Sequence, residues 1–139
     1  MNRQMLSQSA HSWLYLIGFA VAEGIFRRLI LEPWMPKRLA EIVGIAMVLI
    51  TATIIAVQFL NRGRFPPRSI FLLKIGCLWV VYTVAFDFIF FHYVVGMTWG
   101  EVLENYNLAS GHLFPIGLLL TIFVPVAALR LVEGCKVDA

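Results

Sequence analysis

Four side chains in this sequence could do chemistry in an apolar setting: Glu23, Arg27, Asp87 and His112. Two carboxyls, an imidazole and a guanidinium can bind a divalent metal, carry a proton, or hold a charged solute. Their neighbours make them conspicuous. Asp87 lies inside SIFLLKIGCLWVVYTVAFDFIFFHYVVG, Ser69 to Gly96, and Glu23 inside WLYLIGFAVAEGIFRRLIL. Charges at such positions face protein or a polar cavity and find partners, so each marks either a site or a structural pair. Glu23 and Arg27, four residues apart, share a helix face and form the simplest pair. For Asp87 the expected structural partners are Thr83 and a basic group, Arg27, Arg28 or His112. No HxxxH, ExxH or CxxC spacing places two metal ligands on one turn, so a site must be assembled between helices. The residues name neither a metal nor a cofactor.

The elements that position these groups follow from composition. The chain has 139 residues, 60% of them hydrophobic, and a mean hydropathy of +0.84. That excludes an ordinary soluble domain and a disordered tail. From Ile70 to Val95 a helix covers roughly 39 Å, more than the hydrocarbon of a bilayer. In lipid the backbone must bond to itself, so such a segment is a helix despite its β-branched and aromatic content. On it, Gly76, Val80, Thr83, Asp87, Phe90 and Val94 form one stripe, which should face protein.

The expected fold is an all-α membrane protein, 1–139 as one domain, with four transmembrane helices in an up-down bundle. The spans are expected at about 12–31, 39–60, 70–95 and 110–132. The first imitates a secretory signal ending at Ala20-Val21-Ala22, but it continues past Glu23 and is expected to stay uncleaved. Gly18 with Ala22, and Ala52 with Ala56, are small pairs that let helices approach closely. Pro33 and Pro36 separate the first two spans, and NRGRFPPRS joins the second to the third as an arginine-rich loop at the headgroups. After the third span, Thr98 and Glu101 fit a capping box. Trp99, Val102, Leu103 and Tyr106 then make one face of a short amphipathic interfacial helix. In the fourth span Pro125 is expected to kink the helix.

With the termini on one side, basic residues favour that side as cytoplasmic, Met97 to Ser110 lying outside. The expected setting is a multi-pass protein of a cell membrane, of the bacterial inner-membrane kind. Glu23, Asp87 and His112 then gather, with Glu41 and His92, towards the outer end of an otherwise apolar bundle. Three functions fit. The first is binding or translocation of a small ion or polar solute at that polar cap, in a homo-oligomer. The second is a non-catalytic accessory subunit of a larger membrane complex. The third, a lipid- or quinone-linked enzyme, lacks any GxSxG, GxGxxG or P-loop motif. The lipid bilayer is the expected partner. Nucleic acid is not, because the eleven Lys and Arg are scattered between spans.

Overall fold

The computed structural model describes residues 3–138, and among these the regular structure is entirely helical. Five α-helices follow in order: α1, Arg3–Phe26; α2, Lys37–Asn61; α3, Ser69–Ile89; α4, Trp99–Glu104; and α5, Phe114–Val137. Three segments are long and apolar enough to cross a membrane: Lys37–Asn61, Ser69–Val94 and Phe114–Val137.

α1 and α3 both leave through a wide π-turn, Arg27–Leu31 and Phe90–Val94. There the Glu32 amide donates to the Arg27 carbonyl at 2.9 Å and the Val95 amide to the Phe90 carbonyl at 3.1 Å. Pro36, at ψ 141°, then breaks the turn and starts α2. The capping box forms as expected: Thr98 Oγ1 accepts from the Glu101 amide, and the Thr98 amide donates to Glu101 Oε2 at 2.7 Å. Gly63, Gly96 and Gly111 turn the chain at positive φ, which costs glycine little.

The core packs α2, α3 and α5 around Trp79, Leu72, Ile75, Ala56 and Ala128, all essentially inaccessible. The Ala52–Ala56 pair lies in that core, whereas Gly18 and Ala22 face out. Close approach occurs instead at Gly76, where a side chain would run into the backbone carbonyl of Ile122 on α5. At Gly117 on α5 an added Cβ would meet Ile45 of α2 at 3.2 Å. Phe65, from the loop expected to lie at the headgroups, is 2% exposed and packs, tilted, between the rings of Phe59 and Trp79. The Pro-Pro step thus plugs the α2–α3 end of the core with an aromatic ring. α5 continues as one helix through the buried Pro125.

Two boundaries differ from expectation. α1 already begins at Arg3, ahead of the span expected from about residue 12, and it is not among the three segments apolar enough to cross; Ser9 and Ser12 are fully buried on its inner face. Each satisfies its hydroxyl by bonding to the carbonyl three residues back, at 2.9 and 2.8 Å. α5 begins at Phe114, not near 110, because the Asn107 side chain caps a 3₁₀ turn over Leu108–Ser110 that Gly111 then ends.

Candidate functional site

Glu23, Arg27, Asp87 and His112 all lie within ten residues of the connections 27–36 and 95–113, yet they fall into three separate contacts, Glu23 with Arg27, Asp87 with Tyr106 and His112 with Glu41. Glu23 is held by α1 on the face turned to α2. Its side chain is only 7% exposed, with Oε1 3.8 Å from Arg27 Nε. Arg27 reaches onward to Glu32 Oε1 at 3.5 Å. The carboxyl of Glu23 packs over Gly44 of α2, where any Cβ would collide with it and would come within 3.0 Å of the Arg27 side chain. Glycine at that position makes the room. Glu23 Oε1 is buried and has no hydrogen-bond partner. A buried oxygen in that condition loses its hydration without replacement, and a proton, a cation or a donor group would relieve it.

Asp87, 7% exposed, faces inward as its stripe requires. Its partner is neither Thr83 nor a basic residue. The Tyr106 hydroxyl donates to Oδ2 at 2.9 Å, and Thr83 bonds back to the Trp79 carbonyl instead. Tyr106 is positioned by Phe88 at 5.7 Å and edge-on to Phe114 at 5.4 Å. Burial first, and then the neighbouring Asp87, push the Tyr106 hydroxyl well above its ordinary pKa, so it stays a donor. His112 pairs with Glu41, Nδ1 to Oε1 at 3.8 Å. His92 stacks on Trp99 at 3.8 Å and bonds to the Met97 carbonyl, fastening α4 to the end of α3. Thr98 holds the exposed Glu101 carboxyl below its ordinary range, through its amide first and its hydroxyl second.

Among the described residues no three His, Cys, Asp or Glu side chains gather in a way that would hold a metal ion. Cys77 and Cys135 are free and exposed. The residues that sequence reasoning missed are Tyr106 and Gly44. Tyr106 was legible only as one position of an amphipathic face; its bond to Asp87 depends on where the chain returns after α4. Gly44 carried no signal beyond being one of ten glycines.

No family model, curated protein sequence or solved structure matches the chain.

Proposed function

We propose that this protein binds a small cation or a polar, hydrogen-donating solute at the end of the bundle where Glu23 and Arg27 meet α2. The supporting observation is Glu23 Oε1, buried without a donor beside a glycine that leaves room for it. Arg27 is shared with Glu32, so once Glu23 gives up its proton the trio Glu23–Arg27–Glu32 carries one net negative charge, which an arriving cation would balance. Asp87 and His112 sit in the surrounding polar cap, each with a partner already within the chain.

The test uses labelling by a hydrophobic carbodiimide, which reacts with protonated carboxyls in apolar surroundings, read by mass spectrometry in native membranes. Glu23 is labelled, and Na⁺ or Mg²⁺ protects it in a concentration-dependent way. Glu23→Gln abolishes both. Labelling that no cation changes would remove the binding reading.

A second reading, a non-catalytic subunit of a larger membrane complex, draws on the internal pairing of Asp87 with Tyr106 and of His112 with Glu41. Co-purification with a fixed set of other chains in mild detergent, together with cation-insensitive Glu23, supports that reading over the first.

Both readings use α1 as a fourth span in an up-down bundle of a bacterial-type inner membrane, with both termini cytoplasmic. This placement of α1 is supported by the contact of Ser12 on α1 with Trp79, ten residues into Ser69–Val94, a segment long and apolar enough to cross. An impermeant thiol reagent on intact cells should mark a cysteine at Glu104 and leave one at Gly63 untouched.

A further inference from the structure

The start of α3 joins two features that the Glu23 site does not use. The first is a groove of about 390 Å³ lined by Leu73, Lys74, Cys77, Leu78 and Val81. These positions share one outward side of the helix, so the groove follows α3 for about 10 Å. Apart from Lys74 its lining is apolar, Cys77 counting as a small apolar side chain. Lys74 stands five residues beyond Ser69, and its ammonium turns back over the Phe71 ring at 5.7 Å, towards the start of the helix. The groove therefore has a cation at one end and a hydrocarbon floor.

The second feature is unmatched charge. Between Glu41 and Asp87 the chain holds no acidic residue, yet Arg62, Arg64, Arg68 and Lys74 all fall there. All four are exposed, and among the described residues none belongs to an ion pair. The acids at this end of the bundle, Glu133 and Asp138, stand at the end of α5 beside its own Arg130 and Lys136. The arginines do not ride on a loose loop. Phe65 is packed into the core between Phe59 and Trp79. The Arg64 amide donates to the Phe59 carbonyl at 2.9 Å, and its guanidinium lies over the Phe59 ring at 5.4 Å. The Arg68 amide donates to the Pro66 carbonyl at 2.8 Å. A fixed cluster of unpaired cations above an apolar groove is complementary to an amphiphile with an anionic head.

We infer that this end of α3 binds one anionic phospholipid. Its phosphodiester is held by Lys74 and the arginines of the 62–68 loop, and an acyl chain lies along Cys77, Leu78 and Val81. A zwitterionic lipid brings its own cation to the same cluster, so repulsion offsets what its phosphate gains. The site lies at the opposite end of the bundle from Glu23 and is independent of it.

The experiment attaches a benzophenone to Cys77, with Cys135→Ser, and irradiates the full chain in vesicles of phosphatidylcholine with a minority of phosphatidylglycerol. Mass spectrometry of the adducts shows phosphatidylglycerol enriched about tenfold over its share of the vesicle. Lys74→Gln lowers that enrichment about fivefold, the contribution of one basic side chain near the surface. Lys136→Gln, at the same end but on α5, leaves it unchanged. Val81→Trp fills the groove without altering charge and also removes the enrichment. Lys74 and Val81 are exposed, so circular dichroism of both variants stays unchanged. In native membranes the same benzophenone yields an adduct of anionic-lipid mass. Four results would each overturn the inference: adducts in the bulk lipid ratio, equal losses from Lys74→Gln and Lys136→Gln, enrichment that survives Val81→Trp, or a native-membrane adduct with another protein or a second copy. None of these outcomes bears on Glu23 labelling.

Discussion

α1 and α5 are both 24 residues long, and they are attached by different means. α5 buries Gly117, Thr121, Val124, Pro125, Ala128 and Leu129 between α2 and α3. Its attachment is one of shape: Gly76 admits the Ile122 backbone, and Gly117 admits Ile45. α1 buries only Ser9, Ser12, Leu16 and Glu23, three of them polar. It is held by directed contacts instead. Trp79 donates to Ser12 at 3.1 Å, Trp13 donates across to Thr83 at 3.0 Å, and Glu23 seats over Gly44. In lipid, burying apolar surface gives little drive to associate, so close backbone packing and hydrogen bonds must do the work. The two helices divide those means between them. A helix held by a few hydrogen bonds keeps its remaining surface for other contacts, and this fits α1 carrying the cation site proposed at Glu23.

The largest effect should come from breaking the α3–α5 approach. Gly76→Leu must push apart backbone, which cannot yield as a side chain can, and a loss of about 3 kcal/mol or more is expected. Thermal unfolding in detergent should show a collapse of the melting temperature. Gly18→Leu, which meets nothing within the chain, should leave single-chain stability within about 0.5 kcal/mol.

Next is the α1–α3 bond. Ser12→Ala leaves the buried Trp79 indole N–H without an acceptor, for an expected loss of about 1–3 kcal/mol. Adding Trp79→Phe removes the orphaned donor. The double variant should then lose less than the two single losses added together, as measured in a double-mutant cycle. Strict additivity would mean that the bond does not hold α1.

Gly44→Ala sharpens the contrast from the other end. The atoms in its way belong to the flexible side chains of Glu23 and Arg27, so stability should fall by only about 1 kcal/mol. Carbodiimide labelling of Glu23 should nevertheless change several-fold, because the carboxyl is displaced. The same shift at Gly76 has no such outlet.

The smallest effect sets a local scale outside both helices. Thr98→Ala removes the cap of α4, at about 1 kcal/mol or less for an exposed helix end. The Glu101 carboxyl is held below its ordinary value of 4.5, so its contribution is complete above that value and is lost as pH falls through the lower folded one. Fluorescence of Trp99, which sits on α4 against His92, should report this acid transition in the native chain. Thr98→Ala should move its midpoint back up towards 4.5.

By itself the sequence determined that the chain is helical and holds helices able to cross a membrane, because runs of hydrocarbon-compatible residues leave the backbone no other partner; it led to four such spans, and three helices are long and apolar enough. It also determined the cap at Thr98 and Glu101, the inward turn of Asp87, and the pairing of Glu23 with Arg27, all of which depend on spacings within a few residues. The partners that lie far apart in sequence were decided only by tertiary structure. Tyr106 on Asp87, Glu41 on His112 and Trp79 on Ser12 come together through the way helices cross and loops return, and residue types alone do not encode that. The same reason explains which glycines matter. Gly18 with Ala22 has the spacing of a close helix contact, but within the chain α1 turns it outward, while Gly44, Gly76 and Gly117 take that role where neighbouring helices come close.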